Sequence, residues 1–316
     1  MKPLKKPNRI LVFVIVLPLF FIAGSLLYLP YVVAEVKNPV AALFNDKLSK
    51  IERPDFKKFQ LTGKEISFMT EDSLRMSAYL IYGQQPVKGT VIALHGYRSN
   101  KNKYLSVARY FTQAGYHFAA IDLRGHNQSE GDFTGFSYYE KADVSAFISY
   151  LENNENIHPP FILYGHSIGA ATALAVASEN KKVSALVLES VFASFEDIIP
   201  NYIEFYTGIA IDSLPAHVEK PVFDFLKIPA GQIKPVAQAE KIEVPVLIIH
   251  GRDDCKVPIA QAERIYEVIQ APKSFIRIEG ATHNTLWETG GADYFRRILS
   301  FLDKHLQQSH SSDFSL

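Results

Sequence analysis

Residues 161–177 read Phe161-Ile-Leu-Tyr-Gly-His-Ser-Ile-Gly-Ala-Ala-Thr-Ala-Leu-Ala-Val-Ala177. The apolar run at the start is typical of a buried strand, and the small residues at the end favour a helix packed closely on a sheet. Between them, Gly165 and Gly169 permit a crowded backbone approach that a side chain would block. The G-x-S-x-G pattern in this setting predicts a nucleophile elbow with Ser167 as the candidate nucleophile. The alternative is an ordinary strand-to-helix turn, so the reacting partners must be sought elsewhere in the chain.

The remaining elements alternate between strands and helices after an opening hairpin, which indicates an α/β fold. The predicted fold has a mostly parallel central sheet with helices on both faces. Predicted strands cover 64–69, 75–82, 90–96, 117–121, 161–164, 185–188, 244–249 and 275–278, and predicted helices cover 104–114, 138–151, 170–177, 259–269 and 294–306.

The alternation breaks between residues 192 and 241. This insert is rich in aromatic residues and contains five prolines. Long segments of this kind within α/β domains often form lids or binding walls, although a packed structural excursion is the alternative. The candidate substrate-binding residues are Phe195, Tyr202, Phe205 and Tyr206.

Bulk composition narrows the class of function. The 316 residues are 47% hydrophobic and 21% charged, which describes a globular chain with a substantial core. The formal net charge of +0 gives no electrostatic case for a nucleic-acid partner. A single cysteine, Cys255, excludes an intramolecular disulfide. No metal-ligand spacing is present, so neither a metal nor another cofactor is expected.

The N-terminus has the pattern of a membrane anchor. Residues 1–9 are basic, and residues 10–34 contain no charged side chain. About 20 apolar residues suffice to span a bilayer as a helix, so 10–34 is predicted to be a transmembrane anchor or signal-anchor. The basic flank predicts a cytoplasmic N-terminus and an exported catalytic region. A signal peptide cleaved near Ala34, with secretion of the remainder, and a buried core helix are the alternatives.

The rest of the chain divides by composition. Residues 35–60 are predicted to be a connector, 61–308 the catalytic α/β domain with the insert at 192–241, and 309–316 a tail. The sequence leaves the oligomeric state open.

Two further side chains follow predicted strand ends and complete a reacting set. Parallel sheets gather their sites at the carboxyl ends of the strands, where Asp254 and His283 occur after Ser167 in chain order. A serine hydroxyl needs an imidazole to accept its proton, and the imidazole needs a carboxylate to orient it and stabilise its cation. The backbone N–H groups of Tyr97 and Ile168 are the candidate oxyanion donors. Asp253 adjoins Asp254, and strand position alone does not separate the two.

Five motifs in this order resemble the α/β-hydrolase superfamily of serine hydrolases over about residues 64–306. They are His95-Gly-Tyr97, Asp122-Leu-Arg-Gly-His126, Gly165-His-Ser-Ile-Gly169, His250-Gly-Arg-Asp-Asp-Cys-Lys-Val-Pro258 and Gly280-Ala-Thr-His-Asn284. The nearest resemblance is to the exported or membrane-anchored branch of serine aminopeptidase-like and ABHD-type esterases and lipases. The family spacing H-G-x-x-D-x-x-V-P implies that Asp254 is the acid. Asn127 stands where the family usually has a second glycine.

Other polar residues at strand ends are expected to have structural roles. Asp122 and Arg124 are interpreted as a loop-fixing pair, and Glu189 is a reserve acid. Structural hydrogen bonding is expected of four further histidines, at His95, His126, His166 and His250.

These observations predict a serine hydrolase that cleaves carboxylic esters or thioesters, of an acyl or lipid-like kind, through an acyl-enzyme. The aromatic insert and the membrane anchor favour apolar substrates. A serine peptidase of the same fold is the alternative within the enzymes. A non-catalytic binding or scaffold protein that retains the fold is the alternative from another class.

Overall fold

The computed structural model describes residues 33–36, 56–208 and 215–312. The predicted anchor at 10–34 lies outside these residues except for its last two, as do the basic tail and most of the connector. Within the described ranges, no helix combines the length and the apolar character needed to cross a bilayer.

One eight-stranded sheet forms the centre of the domain, in the order β1-β2-β4-β3-β5-β6-β7-β8. Strand β2 is antiparallel to both β1 and β4, and all other neighbours are parallel. The mostly parallel sheet predicted from the sequence is therefore present. The strands are β1 Gly63–Met69, β2 Arg75–Ile81, β3 Gly89–Leu94, β4 Tyr116–Ile121, β5 Phe161–His166, β6 Val183–Glu189, β7 Val246–Gly251 and β8 Lys273–Ile278.

Helices cover both faces of the sheet. The α-helices are α1 Leu105–Gln113, α2 Glu140–Glu155, α3 Ile168–Ala177, α4 Phe195–Thr207, α5 Pro215–Leu226, α6 Pro235–Ala239, α7 Ile259–Val268 and α8 Leu286–Ser312. Helices α1 and α8 pack in one buried cluster, and α2 to α7 contribute to the cluster on the opposite face. Because both faces are covered, the central strands are mostly apolar, and β3, β5 and β7 are entirely buried.

The last helix begins earlier than its sequence pattern predicts. The expected start was residue 294, whereas α8 begins at Leu286 and is broken at Gly291, whose φ of 57° and ψ of −149° are not helical. Gly290 and Gly291 interrupt the apolar period, so the sequence pattern conceals the first turn.

The predicted insert at 192–241 contains helices α4, α5 and α6. Helix α4 begins at Phe195, where Ser194 caps it by accepting a hydrogen bond from the Asp197 N–H at 3.2 Å. The Phe195 and Phe223 rings pack at 5.3 Å between centroids, which holds α4 and α5 together. Residues 209–214 lie outside the described structure.

A short N-terminal segment, residues 33–36, packs against the domain. Ala34 and Val36 are buried, and the Ala34 carbonyl accepts a hydrogen bond from the Thr134 N–H at 3.0 Å. Glu35 forms an antiparallel bridge with Phe133. The chain just after the apolar N-terminal stretch is thus fixed to the loop that follows β4.

Candidate active site

Ser167 occupies a strained turn between β5 and α3. Its φ of 54° and ψ of −114° are unusual for a residue with a side chain, as a nucleophile elbow requires. A Cβ at Gly165 would lie 2.3 Å from the Gly169 carbonyl oxygen, and a Cβ at Gly169 would lie 2.1 Å from the Leu94 carbonyl oxygen. The two glycines are therefore required by the close approach of β5, α3 and β3. The Ser167 N–H donates to the Glu189 carbonyl at 2.8 Å, which fixes the turn to β6.

Asp254 and His283 are hydrogen-bonded to each other. The His283 Nδ1–H donates to Asp254 Oδ2 at 2.7 Å, and both side chains are buried. The other oxygen, Oδ1, accepts from the Val257 N–H at 2.9 Å and the Lys256 N–H at 3.1 Å. Asp253 is exposed, and its N–H donates to the Ala281 carbonyl. The carboxylate that contacts the imidazole is thus Asp254.

The pKa directions suit an ionised acid and a neutral base. Burial favours a higher pKa for Asp254, but the approach of His250 Nε2 at 3.4 Å and hydrogen bonds from His283 and the Val257 N–H outweigh it and hold this pKa well below its usual range. Burial lowers the pKa of His283 and outweighs the opposing influence of Asp254. With Nδ1 committed to the carboxylate, Nε2 of a neutral His283 is the nitrogen that can accept a proton.

His166 joins the serine turn to the loop that carries His283. The His166 Nε2–H donates to the His283 carbonyl at 2.8 Å, and the two imidazole rings lie 5.0 Å apart. On its other side, His166 Nδ1 lies 2.7 Å from the position of a Cβ built on Gly96, so a larger residue at 96 would collide with the ring. Burial lowers the pKa of His166 well below its usual value, which keeps the ring neutral.

The two candidate oxyanion donors follow neighbouring strands. Tyr97 lies just beyond β3, and Ile168 is the first residue of α3 after β5. In the parallel register, Leu94 is the partner of Gly165, so the loop after β3 runs beside the serine turn. The Tyr97 hydroxyl donates to the Val33 carbonyl at 2.7 Å, which ties this loop to the N-terminal segment.

Glu189 is the last residue of β6, and its carboxylate is hydrogen-bonded to side chains other than His283. Its Oε1 accepts hydrogen bonds from Trp287 Nε1 at 2.6 Å and from the hydroxyls of Tyr164 and Tyr294. Burial raises its pKa. Neither Trp287 nor Tyr294 carries a motif that predicts this role, although Trp287 follows His283 by four residues. Glu189 therefore joins β6, β5 and α8 beside the turn that carries Ser167.

Asp122 and Arg124 both fix loops, as expected, each through partners of its own. Asp122 Oδ2 lies 2.6 Å from Nζ of Lys101, a completely buried lysine in the loop that begins at Tyr97. Arg124 bonds Asp143 of α2 at 2.6 Å. Apolar periodicity does not reveal a buried lysine, so Lys101 was not singled out.

The other histidines make hydrogen bonds that organise loops, as expected. His95 Nε2 accepts from the Leu123 N–H at 3.0 Å, and His126 Nε2 accepts from the Arg98 N–H at 3.1 Å. His250 Nε2–H donates to the Val257 carbonyl at 2.8 Å.

The predicted substrate-binding aromatics differ in setting. Phe195 is buried, Tyr202 is half-buried, and Phe205 is 49% exposed. The Lys256 ammonium lies 4.6 Å from the centre of the Phe205 ring, so α4 touches the loop that carries Asp254. The side chain of Tyr206 lies outside the described structure.

A groove of about 510 Å³ lies at the opposite end of the parallel strands. Lys88, Thr90, His117 and Asp303 are among its lining residues. No residue predicted for the reacting site contributes to it.

Comparison with known proteins places the chain in a family. A family model described as serine aminopeptidase, S33, matches residues 85–217. The uncharacterized protein YqkD of Bacillus subtilis is 32% identical over 221 residues, which cover 68% of this chain and 71% of that protein. The chain belongs to the α/β-hydrolase superfamily.

Two further known proteins are similar to this hydrolase. Protein bem46 of Schizosaccharomyces pombe is 27% identical over 259 residues, covering 79% of each chain. The Pyrococcus furiosus esterase Pf2001 superposes with a TM-score of 0.67 at 23% identity, over 81% of this chain and 96% of that one. The superposition establishes the shared fold. Asn127, at the position where the family usually has glycine, has the left-handed backbone conformation (φ 43°) that glycine adopts most easily.

Proposed function

We propose that this hydrolase cleaves carboxylic esters, including thioesters, through an acyl-enzyme on Ser167. The hydrogen bond between Asp254 and His283, next to the strained turn at Ser167, is the observation that carries the proposal. Nucleophilic acyl transfer needs a neutral imidazole, oriented by a carboxylate, beside a serine on a tight turn.

The chemistry follows from these roles. Ser167 Oγ attacks the acyl carbonyl carbon while His283 Nε2 takes its proton, and Asp254 stabilises the resulting imidazolium. The N–H groups of Tyr97 and Ile168 donate to the oxyanion. His283 then gives the proton to the leaving alcohol or thiol. Water, deprotonated by His283, attacks the acyl-enzyme and releases the acid and the free serine.

The preferred substrates are acyl or lipid-like esters. The helices between β6 and β7 bring aromatic side chains, Phe195 and Phe205 among them, to the side of the domain where Asp254 and Lys256 lie. A matched solved structure is named an esterase, which supports the reaction class for this chain.

We place the enzyme on a membrane, as a single-pass protein with the catalytic domain outside the cytoplasm and helices α4 to α6 as its cap. The charge-free stretch 10–34 supports the membrane location, and the basic residues 1–9 before it support a cytoplasmic N-terminus. A C-terminal alkaline phosphatase fusion should be active. Activity only of a cytoplasmic reporter fused at the same place would overturn the exported location.

A fluorophosphonate probe tests the reaction. The full-length protein should be labelled and should hydrolyse p-nitrophenyl esters, and Ser167→Ala should lose both properties. Labelling that persists in Ser167→Ala would refute Ser167 as nucleophile. Hydrolysis of aminoacyl amides without hydrolysis of esters would instead support a serine peptidase, the reaction named in the family description.

A further inference from the structure

The loop between β4 and α2 contains two successive strained residues. Phe136 has a φ of 50° and Ser137 a φ of 91°. Positive φ is unfavourable for residues with a Cβ, and a bulky residue such as phenylalanine is rarely found there. Strain of this kind persists only where the surroundings impose it, and it concentrates at binding and catalytic sites.

A buried carboxylate imposes this conformation. Glu140, at the start of α2, accepts hydrogen bonds from the Thr134 hydroxyl at 2.8 Å, the Gly135 N–H at 2.7 Å and the Ser137 N–H at 2.9 Å. The Phe136 N–H donates to the Thr134 hydroxyl at 3.2 Å. The bond from the Ser137 N–H ties the strained loop to Glu140, the first residue of α2, so the start of the helix and the strained loop are one unit.

The strained loop places the Phe136 ring between Tyr97, in the loop after β3, and Phe195, at the start of α4. Its centroid lies 6.0 Å from that of Tyr97 and 4.7 Å from that of Phe195. The next ring in the series is Phe223, 5.3 Å from Phe195. Phe136 is only 7% exposed, so it fills the space between Tyr97 and Phe195.

We propose that Phe136 is a specificity-determining residue and forms the end wall of the acyl-binding path. This inference rests on the proposed ester hydrolysis. An acyl chain on Ser167 starts beside the Tyr97 N–H, so an apolar path along the Tyr97 ring meets Phe136 before it reaches Phe195. The wall sets the longest acyl chain that the enzyme accepts, and Glu140 holds the wall in place.

Chain-length selectivity tests the wall. We would measure kcat/KM for p-nitrophenyl acetate, butyrate, hexanoate and octanoate with the full-length protein and with Phe136→Leu and Phe136→Ala. Removing the ring should raise the octanoate-to-butyrate ratio of kcat/KM by about tenfold or more, because each added methylene is worth that order of discrimination in an apolar pocket. The matched control is Phe147→Leu, a change of the same size at a buried phenylalanine of α2 that packs on Phe68.

The control separates selectivity from stability. Phe147→Leu should change rates on all esters alike and leave the ratio unaltered. A ratio within about twofold of wild type in both Phe136 variants would overturn the proposal. If Phe136→Ala does not fold, Phe136→Leu decides.

A binding measurement separates this proposal from the proposed function. Calorimetric titration of octanoate into Ser167→Ala protein, with and without Phe136→Ala, requires no hydrolysis. Tighter binding after the ring is removed would support the wall even if the wild type cleaves none of the esters, an outcome that refutes only the esterase assignment. Unchanged binding would overturn the wall in that case.

Discussion

At the scale of single residues, the adjacent carboxylates Asp253 and Asp254 provide a matched pair. Asp254→Asn keeps the size of the side chain. Its amide oxygen stays with the Val257 and Lys256 N–H donors, so its NH2 group faces His283 Nδ1, and the imidazole loses its acceptor and the stabilisation of its cation. We expect kcat/KM for a p-nitrophenyl ester to fall by about 10³ to 10⁴. Asp253→Asn, at an exposed side chain, should change it by less than about threefold. Equal losses in the two variants would remove Asp254 from the mechanism.

The pH dependence follows from the state of His283. Only the neutral imidazole can accept the serine proton, so protonation at low pH removes activity. Because burial lowers the pKa of His283, the acid limb of kcat/KM should have its midpoint below 6.5, the ordinary value for a histidine. His158, an exposed histidine, supplies the control, and His158→Gln should leave the midpoint unchanged. A midpoint above 6.5 would contradict the buried, neutral base.

At the scale of elements, Glu189 connects three of them through hydrogen bonds to Tyr164, Trp287 and Tyr294. Trp287 is the chain's single tryptophan, so its fluorescence reports this junction. Burial raises the pKa of Glu189 from 4.5, so the emission should change with a midpoint above that value, and Glu189→Gln should abolish the change. Glu179→Gln, at a surface carboxylate, should preserve it.

The same shift has a consequence for stability. A raised pKa means that the folded state holds this proton more tightly than the unfolded chain does, so its contribution to the free energy of unfolding is complete at low pH. This contribution declines as the pH rises from 4.5 through the folded-state pKa. The difference in unfolding free energy between wild type and Glu189→Gln should therefore vary with pH in that interval. A constant difference would contradict the raised pKa.

Helices, strands and turns could be predicted from the sequence where their signal lies in residues that are adjacent in the chain. The strand, turn and helix around Ser167 follow from residues adjacent in the chain, and the paired glycines mark the turn. The strained position of Phe136 depends on a carboxylate four residues away, and the pattern Ser137-x-x-Glu140 was its only sequence signal. The first turn of α8 was missed because Gly290 and Gly291 break the apolar period. Buried charges such as Lys101 and Glu189 depend on partners from other elements, which no local pattern encodes.

At the scale of the whole molecule, the sequence predicts an N-terminal anchor ahead of an α/β domain, and residues 33–36 are the described part of the chain closest to that boundary. Ala34 and Val36 are in the domain's interior, and the Val33 carbonyl accepts from the Tyr97 hydroxyl. A connector starting at residue 35 was the expectation, whereas residues 33–36 form part of the domain. A cut near Ala34 would separate the two halves of this contact.

Two truncated proteins test this contact, one starting at residue 33 and one at residue 37. The shorter protein loses the buried Ala34 and Val36 side chains and the acceptor for Tyr97, so its free energy of unfolding should be lower by about 2–3 kcal/mol. Urea denaturation measures the difference. Val36→Asp in the longer protein should reproduce most of the loss without changing chain length, because it places an unpaired charge at a buried position. Equal unfolding free energies in all three proteins would show that residues 33–36 do not stabilise the domain, and would remove the structural link between the N-terminal stretch and the loop that carries Tyr97.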